Sequence, residues 1–505
     1  MFFQKRDRKI IPRWRDFLTT AALRELSTTP ANLRPTIHPE SSLAETRSAW
    51  LANKTLWHAL DFVGSAFSLG VADAQALEAA KYILVNHVRS CPKAGHALAA
   101  RLLAGSQDAP TVPEAEDESR EARRTQIHQK RHQALADPRN PIAWVDLARL
   151  YTVAGQIPKA ENAIEIALKL NPANRFVLRS ATRFFVHIGD RERALRLLRS
   201  VGNFEDPWIT AAEIGVSTLE EREPRETKQG RRLLADENLS TFAKTELASA
   251  LATLELQGGR NNLAKKLFRQ SLTEPNENSL AQAEWASTQI PQLEVDVERP
   301  SVIRSYEAKA LLGLKSGDWD LAAKNSLDWL HDQPFSSRPA ATASYVFSTI
   351  YDQHSRAEDI LRASLVSNPR DRGLINNLAF ALVSQDRVEE AAKILATIDP
   401  YAADDGARVT LLATTGLVAF RRGLADEGQL LYRKAMDLAK QKGLIKFEAL
   451  ASIYLAREEI LAKSPAAAED VKRAEELARK CDEPDVKFVL KKITDLASEN
   501  LRETP

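Results

Sequence analysis

The sequence contains little cysteine and little glycine, and neither sign of charge dominates. Its 505 residues include only Cys91 and Cys481, which excludes a disulfide framework and a cysteine-based zinc site. Only 19 glycines and no strand-like alternation of apolar and polar residues argue against a β-rich fold. Lysine and arginine total 70 and aspartate and glutamate 68. The net charge of +2 argues against a protein whose whole surface binds nucleic acid or membrane.

Long apolar runs are also absent. The first residues, Met1 to Asp7, become charged at once and lack the apolar core of a secretory signal. No apolar run approaches the roughly 18 residues that cross a membrane. Together with the low cysteine content, this predicts a cytoplasmic protein with no membrane contact. The apolar fraction of 44% and charged fraction of 27% are typical of a folded protein with a large core.

Motifs that carry catalysis are missing as well. The sequence lacks the phosphate-binding loop, the dinucleotide-binding glycines, the nucleophile elbow and the zinc-protease helix. His128 and His132 have a spacing that two zinc ligands could use, but their neighbours are basic, which favours a solvated helix. Asp318 and Asp320 lie in a turn, where aspartate caps helices. We therefore expect no enzyme activity, no metal and no cofactor.

The sequence does contain an internal repeat with a period of about 34 residues. Its clearest copy spans residues 141–172 and ends at Pro172, which blocks helix continuation. Two helical apolar stripes flank the turn residue Gly155; they are Trp144, Leu147, Ala148 and Tyr151, then Ala160, Ile164 and Ala167. Such a hairpin cannot bury both stripes by itself, so neighbouring copies must cover it. Trp144 and its counterpart Trp208 are expected in the core.

This pattern resembles the tetratricopeptide repeat family. The signature positions recur in residues 175–207, 244–275, 338–369 and 372–400, and less completely in 205–239, 303–334 and 409–442. The resemblance implies an all-α fold, a superhelical solenoid of helical hairpins whose concave surface is lined by the first helix of each hairpin. We expect about seven to eight repeats over residues 137–445, with a break near 290–300 that is either an inserted loop or a partner-contacting loop.

The segments outside the solenoid have a different composition. Residues 1–40 contain several prolines and read as an extended basic segment, and residues 41–105 form an additional helical region with one degenerate repeat. Residues 106–136 combine an acidic linker with a basic helix. Residues 446–505 are expected to be C-terminal capping helices.

The resemblance also implies where a ligand binds, because the family's concave surface commonly holds peptides. The side chains expected to line this groove are Arg149, Arg179, Arg183, His187, Asn376, Asn377 and Phe380. Guanidinium groups suit acidic side chains, a terminal carboxylate or phosphate, and amides can bond an extended backbone. We therefore predict a protein or an acidic peptide as partner. The alternative is a charged face that is merely solvated.

A second candidate site is the basic N-terminal segment. Its residues are Lys5, Arg6, Arg8, Lys9, Arg13, Trp14 and Arg15. Basic and aromatic side chains in this mixture can bind phosphates or an anionic surface. They can also contact a partner or a second copy, dock onto an acidic face of the same chain, or remain in solvent.

The leading hypothesis is a non-enzymatic scaffold or adaptor that binds a partner protein in the groove. A more specific version is the regulatory or sensing subunit of a bacterial multiprotein system, in stress or phage defence, with its enzyme on a separate chain. The alternative is a nucleic-acid-binding repeat protein that uses the basic N-terminus and the arginines of residues 175–199. The near-zero net charge makes nucleic acid the less favoured partner.

Overall fold

The computed structural model describes residues 8–15, 39–68, 71–87, 91, 93–104, 115–200, 202, 205–399 and 404–502. Within these ranges every regular element is a helix and no strand occurs. The prediction of an all-α fold built from helical hairpins is therefore confirmed. Lys5 and Arg6 of the basic segment lie outside the described residues. No helix in the described part is both long and apolar enough to span a membrane.

Contacts divide the chain into two compact units. The N-terminal unit is Trp14–Phe184, and the C-terminal unit is Phe185–Pro505 together with the described residues 8–13. The helices that begin in the N-terminal unit are α1 Pro39–Ala52, α2 Leu56–Ser68, α3 Ala74–Asn86, α4 Lys93–Ala104, α5 Ala115–Ala136, α6 Pro141–Val153, α7 Ile157–Leu170 and α8 Arg175–His187.

In the N-terminal unit, α1 to α4 pack around a small core that includes Trp50 and Phe62. Helix α6 starts as the sequence suggests, because Asn140 caps its first turn and Pro141 occupies the first helical position. One expectation for this hairpin is wrong: Trp144 is only partly buried. Its indole Nε1 donates a 3.1 Å hydrogen bond to the carbonyl of Pro138, which keeps the ring edge near solvent.

The C-terminal unit contains the longer stack of hairpins. Its helices are α9 Arg191–Ser200, α10 Pro207–Leu219, α11 Thr227–Ala235, α12 Thr241–Gln257, α13 Asn261–Ser271, α14 Glu277–Ser287, α15 Tyr306–Ser316, α16 Trp319–Asp332, α17 Ser337–Tyr345, α18 His354–Leu365, α19 Arg372–Val383, α20 Val388–Leu395, α21 Asp405–Arg421, α22 Ala425–Gln441, α23 Ile445–Leu461, α24 Ala467–Ala478 and α25 Pro484–Arg502. A π-helical turn, Val346–Ile350, continues α17.

Small residues at the repeat's signature positions set the distance between paired helices. In the α21–α22 hairpin, a Cβ added to Gly416 would lie 3.0 Å from the carbonyl oxygen of Gly428. A Cβ added to Gly428 would lie 2.9 Å from the carbonyl oxygen of Gly416. Each backbone thus occupies the space where the other helix would place a side chain, so the two helices pack closely.

The break in the repeat pattern is a packed loop between α14 and α15. Helix α14 has no second helix of its own, and the loop that follows it buries Ile290, Leu293, Val297 and Val302. The first two join the core around Trp285, and the last two join apolar residues of α14 and α15. The loop therefore covers α14 in place of a second helix.

Candidate peptide-binding groove

Residues 8–13 have no regular secondary structure and lie against helices α10, α12, α14 and α15 of the C-terminal unit. The segment is deeply buried, since Arg8 is 2% and Ile10 1% exposed. Its contacts are with polar side chains of α14 and α15, as well as apolar residues of α10 and α12. Part of the groove is thus already occupied by an extended segment of the same chain.

Arg8 is bound by three side chains of α14 and α15. Its Nε donates to Glu307 Oε1 at 2.9 Å and its Nη2 to Glu307 Oε2 at 2.9 Å, the two-pronged geometry that arginine forms with carboxylate. Its Nη1 donates to Gln282 Oε1 at 2.6 Å, and Nη2 also to Asn278 Oδ1 at 2.8 Å. This arrangement recognises a guanidinium group, and the single ammonium of lysine could not make all of these contacts.

The same two amides also bind the backbone of the segment. Gln282 Nε2 donates to the carbonyl of Arg8 at 2.7 Å, and Asn278 Nδ2 donates to the carbonyl of Ile11 at 3.0 Å. Main-chain carbonyls are the same in every residue, so these bonds hold an extended chain without reading its side chains. Glu246 orients Asn278, because Asn278 Nδ2 also donates to Glu246 Oε1 at 3.1 Å.

Arg13 is the second arginine at this position. Its Nη2 donates to Glu307 Oε2 at 2.6 Å, and its Nη1 lies 3.8 Å from Asp332 Oδ2. We call Asn278, Gln282, Glu307 and Asp332 the guanidinium cage. Both carboxylates of the cage also have an arginine from the helical stack, described next.

Two arginines outside residues 8–13 also form ion pairs with the carboxylates of the cage. Arg338 Nη1 lies 3.2 Å from Glu307 Oε1, and Arg304 Nη1 lies 3.1 Å from Asp332 Oδ1. Burial alone would raise the pKa of Glu307, but Arg8, Arg338 and Arg13 outweigh it and hold that pKa far below the usual value of 4.5. Glu307 is therefore ionised at every physiological pH.

An apolar side chain and a glycine complete the fit of the segment. Ile10 packs among residues of α10 and α12, including Ile214 and Leu251. A Cβ added to Gly215 would lie 2.0 Å from the carbonyl oxygen of Ile10, a distance that no structure tolerates. Helix α10 therefore needs glycine where the segment crosses it.

Trp14 and Arg15 belong to the N-terminal unit, and both are buried. The Trp14 ring packs edge-on against Phe184, with 6.2 Å between the ring centroids. Its carbonyl accepts a 3.3 Å hydrogen bond from Arg149 Nε, so one of the predicted groove arginines binds the chain's own backbone. Arg179 is buried on α8, and Arg183 lies one turn further on and is partly buried.

Next to the guanidinium cage is a pocket in the C-terminal unit that no part of the described chain fills. It offers about 80 Å³ for water-sized groups. Its walls come from the first helices of consecutive hairpins and from α16; they include Trp285, Leu311, Leu314, Trp329, Arg338, Ala341, Asn376, Asn377 and Thr410. Glu307 and Leu311 lie one turn apart on α15, and Arg338 contacts both Glu307 and the pocket. The cage and the pocket are therefore adjacent parts of one surface.

Of the residues predicted to line the groove in the C-terminal unit, two lie at the pocket and two lie elsewhere. Asn376 and Asn377 line the pocket, each 4% exposed, and Asn376 Oδ1 accepts no hydrogen bond from any described residue. Phe380 instead lies in the core against Tyr454, with ring centroids 5.5 Å apart. The His187 ring packs edge-on against Phe335, at 5.5 Å, and does not line the pocket.

The arginine-rich stretch of residues 175–199 is largely engaged by its own neighbours. Arg191 pairs with Glu220 at 3.1 Å, Arg199 with the buried Glu213 at 2.7 Å, and Arg193 stacks on Phe185. Arg8 and Arg13 of the basic segment are likewise paired with Glu307. While these contacts persist, four of these arginines are paired with carboxylates and Arg193 is held against a ring, which makes them less available to a phosphate backbone.

The two histidines with zinc-like spacing take other contacts. His128 stacks on Trp57, with 3.6 Å between ring centroids, and His132 Nδ1 lies 3.9 Å from Asp61 Oδ2. Burial raises the pKa of Asp61 to about 6, and His132 and His58 partly oppose this shift. In the described ranges, no group of three or more His, Cys, Asp or Glu side chains is placed to hold a metal ion.

Sequence reasoning missed the guanidinium cage. Its residues lie on α14, at the start of α15 and at the end of α16. A signal was present in the sequence of α14, which carries Asn278, Gln282 and Glu284 on a short helix. When such polar side chains are buried, they need hydrogen-bond partners from elsewhere in the chain. Buried amides and carboxylates need partners, and the arginines of the N-terminal segment could have supplied them.

The stacked hairpins and their inner surface, which already holds an extended peptide segment, define a helical-repeat scaffold. Residues 351–414, from the end of the π-helical turn into α21, match the family model described as tetratricopeptide repeat. This match confirms, for that stretch, the resemblance to the tetratricopeptide repeat family that the residue spacing predicts. No curated protein matches its sequence.

Two solved structures illustrate how distant the similarity is beyond the family level. The chain is similar to yeast Tom70, with a TM-score of 0.31 and 15% identity over 76% of this chain and 93% of that one. It is also similar to the APC/C hetero-tetramer Cut9-Hcn1, with a TM-score of 0.37 and 12% identity over 90% of this chain and 93% of that one. Similarity at this level says nothing about what this chain binds.

Proposed function

We propose that the protein is a non-enzymatic scaffold that binds an extended segment of a partner protein at the pocket beside the guanidinium cage. The observation that carries this proposal is an open, largely apolar pocket that continues a surface on which a peptide segment already lies. A concave site with a few convergent polar groups is the usual form of a binding site.

The contacts of residues 8–13 indicate how a partner would be held. Asn278 and Gln282 bind the carbonyls of that segment. Asn376 and Asn377 are amides at the pocket, and Asn376 Oδ1 has no hydrogen-bond partner among the described residues. After a rotation of the Asn376 amide, an N–H group of an incoming segment would supply the hydrogen-bond donor that Oδ1 lacks. An apolar side chain of the same segment would lie against Trp285, Leu311 and Trp329.

The experiment is a purification of the tagged full-length chain from its native host, beside the double variant Asn376→Leu, Asn377→Leu. A protein that accompanies the unchanged chain and is lost from the variant supports the pocket as the binding site. The matched control is Asn238→Leu, which changes an exposed asparagine far from the pocket along the chain. A partner retained equally by all three proteins would refute the proposal.

Two finer parts of the hypothesis need their own test. One is an acidic partner segment that contacts Arg149, Arg179 and Arg183; the other is a role as regulatory or sensing subunit of a bacterial stress or phage-defence system. The same purification with Arg183→Glu tests the first, because Arg183 is only partly buried, and a melting curve of the variant checks that it folds. The identity of the co-purified protein tests the second, and a partner without any associated enzyme would count against it.

A further inference from the structure

The guanidinium cage would remain electrostatically satisfied if residues 8–13 left it. Glu307 would keep Arg338 at 3.2 Å, and Asp332 would keep Arg304 at 3.1 Å. A buried carboxylate that loses its only partner is strongly unfavourable, but these two carboxylates each have a second arginine from the helical stack. The departure of the segment would also free Asn278 and Gln282 to bind another chain.

We propose that the guanidinium cage is a receptor for an extended, arginine-bearing segment of a partner protein, and that residues 8–13 are an intramolecular ligand that such a segment replaces. This proposal rests on the proposed function in one respect: both place a partner segment on the same surface. It concerns a separate, basic stretch of the partner that binds at the cage and not at the Asn376 pocket, and it leaves the acidic segment proposed for Arg149, Arg179 and Arg183 as a different contact.

The contacts of the bound segment specify the ligand. It has two arginines five residues apart, Arg8 and Arg13, which share the Glu307 carboxylate. It has an aliphatic residue two positions after the first arginine, because Ile10 fills an apolar recess between α10 and α12. It is extended, since α14 binds the carbonyls of residues 8 and 11.

Because residues 8–13 are attached to the chain, they compete with any separate peptide for the guanidinium cage. A tethered ligand acts at an effective concentration on the order of millimolar, so a free peptide of the same sequence is excluded at micromolar concentration. A change that removes the two arginines from the tethered segment weakens this competition and leaves the cage unchanged. The occupied cage is therefore an autoinhibited state of the binding site.

The test uses the full-length chain with Arg8→Ala and Arg13→Ala, and a fluorescent peptide with the sequence of residues 8–15. Fluorescence anisotropy should show binding to this variant about tenfold tighter or more than to the unchanged chain. A peptide in which Arg8 and Arg13 are replaced by lysine and Arg15 is kept should bind about tenfold weaker or more, because lysine cannot form the two-pronged contact. The readout involves neither Asn376 nor a host protein, so its failure is separable from failure of the proposed function.

Four results would overturn the proposal. The first is a folded variant that binds no peptide, and the second is a folded variant that binds the arginine and lysine peptides equally. A variant that does not fold would show that residues 8–13 are an obligatory part of the core. Association seen only between two full-length copies would make a second copy, and not a partner, the source of the segment.

A second measurement needs no variant. Hydrogen exchange of the unchanged chain with a large excess of the peptide should increase in residues 9–13 while α14 and α15 stay protected. Unchanged exchange in residues 9–13 at a peptide concentration well above the effective concentration would also overturn the proposal.

Discussion

Two stretches of the groove in the C-terminal unit carry similar buried asparagines with different hydrogen bonding. The filled stretch is the part that residues 8–13 cover, and the open stretch is the pocket at Asn376. In the filled stretch, Asn278 makes three hydrogen bonds, to Arg8, Ile11 and Glu246. In the open stretch, Asn376 is equally buried but its Oδ1 has no partner among the described residues. The comparison shows that the groove amide beside the segment has its hydrogen bonds completed by it, whereas the oxygen of Asn376 still lacks a partner among the described residues.

The largest expected loss of stability comes from a substitution in the filled stretch. Glu307→Gln removes the carboxylate that Arg8, Arg13 and Arg338 share, and leaves buried guanidinium charge without its counter-ion. Breaking a buried ion pair in this way should lower the free energy of unfolding by about 3–5 kcal/mol. Urea unfolding measures this, with Glu298→Gln as the exposed control. Equal midpoints for the two variants would mean that the cage does not stabilise the fold.

The paired amides give the sharpest test of the comparison. Asn278→Leu leaves the carbonyl of Ile11 and part of Arg8 unpaired and should cost about 1–3 kcal/mol. Asn376→Leu removes an amide that already lacks a partner for its oxygen, so its effect should be near zero or slightly stabilising. Parallel urea unfolding of the two variants decides this, and equal losses of stability would contradict the distinction between filled and open stretches.

A glycine substitution tests whether the segment is held by shape. Gly215→Ala places a Cβ 2.0 Å from the carbonyl of Ile10 and should cost about 1–3 kcal/mol, as other overpacked sites do. The matched control is Gly64→Ala on α2, where the nearest atom would be 3.9 Å away and alanine should stabilise the helix. Thermal unfolding with hydrogen exchange of residues 8–13 measures both effects. Unchanged protection of that segment in Gly215→Ala would be evidence against a close fit.

The pH dependence of stability should report on the cage. The folded-state pKa of Glu307 is depressed below the usual 4.5, so its contribution is fully present above that pH and is lost as the pH falls. This group should lower the free energy of unfolding by about 1.4 kcal/mol for each pH unit below about pH 4.5. Unfolding at several pH values between about 6 and about 3 measures the slope. Glu307→Gln should show a smaller slope, and identical slopes would assign the acid sensitivity to other groups.

The hairpins and their family could be predicted from the sequence because the signals are local. Leu378 and Ala379 on α19 and Gly416 on α21 are core or contact positions that recur at a regular spacing. The failures have local causes too. Trp144 matches the signature position but is only partly buried, and Phe380 was assigned to the groove but packs in the core. Spacing predicts which helix face a residue lies on, and it does not predict what covers that face.

The candidate site was predictable only in part. Asn376 and Asn377, which were predicted as partner-binding residues, lie at a pocket, and their role in binding stays a prediction. The cage was not predicted, because Arg8 and Glu307 are separated by 299 positions and no local pattern links them. The arginines predicted for the groove, Arg149, Arg179 and Arg183, belong to the N-terminal unit, whereas the side chains that bind the segment in the C-terminal unit are carboxylates and amides.

The sequence by itself determined the helices, their pairing into hairpins and the resemblance to the family, because these depend on residues a few positions to about 34 positions apart. It also determined that arginines and an aliphatic residue lie close together near the N-terminus. Only the tertiary structure decided that these residues occupy the groove and which stretch remains open. The physical reason is that a buried arginine requires a buried carboxylate, and the stacking of repeats alone selects which carboxylate it meets.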